Sequence, residues 1–210
     1  MSAQPKPYLT EEAYLATERS SLEKHEYVDG EVFALAGGTV AHNLISGNVF
    51  AALHAQLRGT GCRVFSSDMR LKVMPSGLNT YPDVMVVCGQ FQFVDDRRDT
   101  LTNPSVIIEV LSPSTERYDR GMKFQHYRSL ATLQEYVLIA QDKHQMEHYV
   151  RQANGQWLFE EVPAFTPTLS LPSVGGTLTL ADVYDGVEVQ PEPTRMPRAI
   201  PPEDEDSQPT

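Results

Sequence analysis

Cysteine is nearly absent from this chain: Cys62 and Cys88 are the only two among 210 residues. Neither stands at the close spacing that metal-binding cysteines show, and two isolated thiols in strand-like segments read as reduced core residues. Long apolar runs are missing too. None approaches the roughly 18 residues that a membrane span requires. Residues 1–8 lack the apolar centre of a secretory signal, so a cytoplasmic protein without membrane contact is expected. Positive charge is also scarce, with 17 Lys and Arg against 28 Asp and Glu, a net charge of −11. A simple nucleic-acid binder presents a basic face. Any contact with nucleic acid here must therefore rest on local basic patches and on metal ions. Residues 188–210 hold six acids and two arginines, which leaves −7 for the remainder. Their density of proline among acids predicts a disordered tail, so the domain is expected over residues 8–187.

What the chain does contain is a regular succession of turn and strand signals. Thr10 caps a short helix that opens with Glu11 and Glu12. Asp29-Gly30 joins two apolar-bearing arms, 26–28 and 31–35, in a two-residue hairpin. That register sets Val28 opposite Glu31 and Glu26 opposite Phe33, so both glutamates share a face. Thr39 caps a helix over about 40–58, whose Ile45, Val49, Leu53 and Leu57 form one apolar stripe. One strand is predicted from Arg63 to Val73 with a bulge or bend at Ser66-Ser67, another from Tyr81 to Cys88, and a polar loop over 89–103. A buried strand follows at 106–111, then a helix from Ser114 or Thr115 to about Leu130, and a strand at 135–140. Asn154-Gly155 marks a second hairpin. The order predicts an α/β (α+β) chain with a central mixed sheet flanked by helices, and a parallel pair near 106–140.

Two carboxylates stand out from this pattern. Glu109 lies inside Val106-Ile107-Ile108-Glu109-Val110-Leu111, where an ionised acid is costly without a partner. Asp83 opens the similar run Asp83-Val84-Met85-Val86-Val87. Two strands that each deliver one carboxylate make an oxygen-donor pair suited to Mg²⁺ or Mn²⁺. Such an ion activates water and neutralises charge on phosphate. A buried Arg or Lys partner for Glu109 is the alternative. On the following helix Asp119, Lys123 and Tyr127 recur at four-residue spacing. His42, in the first turn of its helix, and Glu26 and Glu31 on the hairpin are further groups that reach toward such a site.

The ordered set His25-Glu26-Tyr27-Val28-Asp29-Gly30-Glu31, His42, Tyr81-Pro82-Asp83-Val84, Ile108-Glu109-Val110-Leu111-Ser112-Pro113-Ser114-Thr115 and Asp119-Arg120-Gly121-Met122-Lys123 resembles the PD-(D/E)xK nuclease superfamily. Within it, the set is similar to a restriction-endonuclease family long treated as a domain of unknown function. The resemblance implies a restriction-endonuclease-like core, metal ligation by Asp83 and Glu109, and hydrolysis of DNA. The superfamily places its lysine two positions after the second acid, where this chain has Leu111. The resemblance therefore moves the lysine's role to Lys123. Because duplex cleavage commonly uses two sites, a homodimer is also expected. The rival expectation is a non-catalytic nucleic-acid-binding or interaction module that retains the fold.

Overall fold

Strand burial determines how the chain is layered. The computed structural model describes residues 8–162 and 167–189. The proline-rich tail lies outside these residues apart from 188 and 189. Helix α1 (Glu11–Glu18) begins where Thr10 accepts a hydrogen bond from the Ala13 amide at 3.2 Å. Strands β1 (His25–Val28) and β2 (Glu31–Ala34) form the expected hairpin, with Glu26 opposite Phe33 and Val28 opposite Glu31. Asp29 and Gly30 both have positive φ, which this tight turn requires. Helix α2 (Val40–Gln56) is capped by Thr39 and buries Ile45, Val49 and Leu53.

The segment read as one strand from Arg63 to Val73 is two strands in different sheets. Strand β3 (Cys62–Ser66) ends at a turn closed by the Met69 amide on the Ser66 carbonyl at 3.1 Å, and β4 (Arg70–Val73) resumes beyond it. Three consecutive polar residues, Ser66, Ser67 and Asp68, take the chain out of the first ladder. Strand β5 (Leu78–Thr80) is likewise separated from β6 (Val84–Cys88) by Tyr81-Pro82-Asp83. Proline has no amide to give a ladder, so the break falls there. The polar loop holds a two-residue strand, β7 (Thr100–Leu101), and is tied to α1 by Arg19, which pairs with Asp95 and Asp99.

Strands β8 (Val106–Val110) and β9 (Glu135–Ile139) are buried throughout and run parallel. Strands β10 (Met146–Arg151) and β11 (Trp157–Val162) form the second predicted hairpin. The six-stranded sheet runs β11-β10-β9-β8-β6-β3, and a five-stranded sheet runs β2-β1-β5-β4-β7. A small hairpin, β12 (Thr168–Leu171) with β13 (Gly176–Thr179), and the short α5 (Leu180–Val183) close the described fold.

Alternation along β8 separates two cores. Val106, Ile108 and Val110 pack with the α2 stripe and the small hairpin. Ile107 and Leu111 join Tyr127, Tyr136 and the five-stranded sheet's Leu71 and Leu78 on the other side. Glu109 shares the second face.

The crossover between β8 and β9 departs from a plain α-helix. It consists of α3 (Glu116–Tyr118), a π-helical turn (Asp119–Lys123) and α4 (Phe124–Tyr127). Thr115 makes no side-chain cap to this segment. Ser112 takes that part, accepting the Thr115 amide on Oγ at 3.2 Å and the Glu116 amide on its carbonyl at 2.9 Å.

The cysteines also correct an expectation. Cys62 and Cys88 are directly opposite in the β3–β6 register and are joined as a disulfide rather than held as free thiols. Their separation of 26 residues conceals this pairing until β3 is placed beside β6.

Candidate active site

Asp83 stands where β5 has ended and β6 has not begun, so its side chain is released from both ladders. Its Oδ2 accepts the Val110 backbone amide at 2.8 Å, while its own amide reaches Glu109 Oε2 at 3.3 Å. The two acids predicted from separate strands are thus linked through the amides of Asp83 and Val110. Glu109 is 3% exposed. Its Oε1 accepts the Tyr127 hydroxyl at 2.7 Å and lies 2.9 Å from Lys123 Nζ.

The π-helical turn delivers Lys123. A π turn widens the helix by one residue, and such turns are frequent at functional sites. Here it buries both Asp119 and Lys123. Tyr136, from β9, donates its hydroxyl to the Asp119 carbonyl at 3.1 Å and ties the turn to the sheet. Lys123 Nζ lies 3.4 Å from Asp119 Oδ1 and 3.5 Å from Glu26 Oε1. Glu26 arrives from β1 and also receives hydrogen bonds from the hydroxyls of Thr80 and Tyr118.

Three acids, Glu26, Glu109 and Asp119, therefore surround one lysine, and Asp83 adjoins them through Glu109. Burial pushes the Glu109 carboxyl up to about 8; Lys123 opposes this, and Asp83 and Asp119 add to it. Burial also raises Asp119, against Lys123 and a hydrogen bond from Thr115. Desolvation works against the Lys123 ammonium as well, but the field of Glu109, Asp119 and Glu26 outweighs it and holds the ammonium well above the ordinary lysine range. The cluster has more acid than base, so it favours a further cation.

His42 stands beside this cluster. Its Nε2 lies 3.2 Å from Asp83 Oδ2, and that hydrogen bond raises its pKa although burial opposes it. Gly38 makes room for the ring: a Cβ there would sit 2.6 Å from His42 Nδ1.

Of the residues named from sequence, Asp83, Glu109, Lys123, Glu26 and His42 come together. Glu31 lies two positions along the same hairpin face, beside the turn and partly exposed. Thr80 and Tyr118 carried no signal in the sequence, since neither stands in a charged or apolar pattern that implies a site. Tyr127 is a core residue that also orients Glu109.

The donor set suits a hard divalent ion. Asp83 and Glu109 supply carboxylate oxygens, and magnesium is commonly held by only one or two carboxylates with waters completing its shell. Among the described residues, no group of three or more His, Cys, Asp or Glu side chains is arranged to hold a metal ion. The fit is therefore to an open, two-carboxylate site and not to a closed cage.

The profile of the Uma2 family, described as "Putative restriction endonuclease", matches residues 11–182. Two Synechocystis proteins are similar along most of their length. Uncharacterized protein slr1290 is 36% identical over 185 residues, covering 87% of this chain and 95% of its own. Uncharacterized protein sll1609 is 39% identical over 154 residues, covering 73% and 87%. Among solved structures, one described as a "putative nuclease belonging to DUF820" from Anabaena variabilis ATCC 29413 superposes with a TM-score of 0.67 at 18% identity. The match covers 80% of this chain and 93% of that one, and it shows a shared fold.

Proposed function

The chain belongs to the Uma2 family of restriction-endonuclease-like proteins, and from that premise we propose a metal-dependent endonuclease that hydrolyses phosphodiester bonds in DNA. The observation that carries this reading is the pair Asp83 and Glu109, linked through the amides of Asp83 and Val110 with Lys123 2.9 Å from Glu109. Asp83 and Glu109 are the ligands in this proposal, with Mg²⁺ or Mn²⁺ as the ion. When bound, the ion supplies Lewis acidity toward a phosphate oxygen and the attacking water.

The protein's own groups do the rest. Tyr127 fixes Glu109 Oε1 and Val110 fixes Asp83 Oδ2, so neither carboxylate needs to reorganise. Lys123 keeps its proton among the acids and presents a positive charge to the phosphoryl oxygens as negative charge accumulates there. His42, in the first turn of α2, lies against Asp83 and steadies its carboxylate. Glu26 holds Lys123 from the hairpin side. The surplus of acid explains why duplex binding would depend on a divalent ion in a chain of net charge −11.

The test is cleavage of supercoiled plasmid with Mg²⁺ or Mn²⁺, comparing wild type with Glu109→Ala and Lys123→Gln. Loss of nicking in Glu109→Ala and a fall of about 10²–10³-fold in Lys123→Gln are expected, with the folding of each variant checked by circular dichroism. DNA that is bound but left intact by the wild type across metals and salt would reject hydrolysis in favour of a binding module.

A further inference from the structure

The Cys62–Cys88 disulfide lies away from the carboxylate cluster and has a cavity beside it. Cys62 opens β3, an edge strand of the six-stranded sheet, and Cys88 ends β6. A cavity of about 220 Å³ on this edge is lined by His54, Leu57, Arg58, Cys62, Arg63 and Val64. Cys62 is the half of the disulfide that this cavity reaches. Arg63 donates from Nη1 to the Cys62 carbonyl at 2.7 Å, which keeps its guanidinium beside the cysteine. Arg58 stands two residues beyond the end of α2 and is exposed. Arg58 and Arg63 both line this cavity, a local exception to an otherwise acidic chain.

We propose that this cavity admits a small anionic thiol, of the carboxylate-bearing peptide class, which opens the disulfide by exchange. The thiolate forms a bond to Cys62 Sγ; the bond between Cys62 and Cys88 breaks, and Cys88 departs as a thiolate that takes up a proton. A second thiolate of the same compound then attacks the small-molecule sulfur of the mixed disulfide. Cys62 leaves as a thiolate and is protonated, and the symmetrical small disulfide is released. Two thiols are oxidised to one disulfide, and the protein bond gains the two electrons and two protons they lose.

Three features select this reagent. Arginine keeps its charge at every ordinary pH, so the cavity attracts carboxylates whatever the state of His54. Nearby positive charge stabilises the thiolate form, so more of the reagent held in the cavity is the attacking species. Strand β3 is held in its sheet by β6 alone, so the disulfide is the covalent tie of an edge strand. Opening it frees a loop spanning 26 positions and lowers the stability of that edge.

The experiment uses the purified full chain, reduced either by glutathione or by neutral 2-mercaptoethanol at equal thiolate concentration. Alkylation at timed intervals and mass spectrometry count the free cysteines. Wild type is expected to open several-fold faster with glutathione, and Arg58→Ala with Arg63→Ala to bring that ratio close to one at an unchanged melting temperature. Added salt should lower the wild-type ratio in the same direction, which tests the attraction even if the double variant folds poorly. In Cys88→Ser, glutathione disulfide should yield an adduct that peptide mapping places on Cys62. Equal wild-type rates with the two thiols overturn the proposal. So does a preference that survives both salt and loss of the arginines, or alkylation of both cysteines before any reductant is added.

Discussion

Asp83 and Glu109 hold each other in place: the amide of Asp83 reaches Glu109 Oε2, and the amide following Glu109 reaches Asp83 Oδ2. This reciprocity makes it possible to separate charge from architecture. Asparagine at 83 still offers an oxygen to the Val110 amide but removes the negative charge. Asp83→Asn is therefore expected to fold with little loss, while its melting temperature no longer rises with Mg²⁺ or Mn²⁺. For wild type, a metal present at ten times its Kd adds about 1.4 kcal/mol. Differential scanning fluorimetry with and without the ion reads both. A metal-induced rise that persists in Asp83→Asn would remove Asp83 from the ligand set.

Lys123 gives the complementary case. It lies within 3.5 Å of Glu26, Glu109 and Asp119, so an uncharged replacement leaves buried acids without a counter-charge. Lys123→Met is expected to cost about 3–5 kcal/mol in metal-free buffer. A divalent ion should recover more of that loss than it adds to wild type, because the variant has more uncompensated charge. Denaturant unfolding of both proteins, with and without Mg²⁺, measures the difference. An equal increment in the two would mean that Lys123 and the ion do not share a field.

The readability of this site from sequence depended on how local each signal was. Asp-Gly fixed the β1–β2 register, and with it the placement of Glu26, because turn chemistry acts between neighbours. The apolar run around Glu109 revealed its burial for the same reason. What escaped depended on partners distant in the chain. The change of sheet between β3 and β4 reads in the sequence as a bulge or bend, since short polar stretches mark all three. Thr80 and Tyr118 join Glu26 only after the five-stranded sheet and the π-helical turn are assembled. The disulfide is legible only in the β3–β6 register.

Gly38 illustrates a role that a turn signal alone does not express. It reads as a chain break before α2, yet the space above its Cα is filled by the His42 ring. Gly38→Ala is expected to rotate the imidazole away from Asp83 at a small cost in stability, since a side chain and not backbone must give way. The His42 pKa, followed by the NMR shifts of its ring protons, should then fall toward its ordinary value. Plasmid cleavage should drop alongside. An unchanged His42 titration in Gly38→Ala would show that the glycine does not position the ring.

A final prediction concerns pH and lies outside the carboxylate cluster. His148 is 1% exposed, with Nε2 2.6 Å from Glu135 and Nδ1 2.9 Å from Glu160. Burial alone would lower its pKa, but the two carboxylates outweigh burial and raise it. Glu135 accepts the Ser173 amide at 2.8 Å as well, which ties β9 to the small hairpin through the same carboxylate. A raised folded pKa stabilises the protein fully below the unfolded value of roughly 6.5, and the contribution disappears as pH climbs through the folded value. Wild type should therefore lose melting temperature relative to His148→Gln as pH rises from about 6 upward, because glutamine retains hydrogen bonding but does not titrate. Parallel melting curves for the two proteins across that range would show that folding leaves the His148 pKa unshifted and that the Glu135–His148–Glu160 chain is not an ion triad.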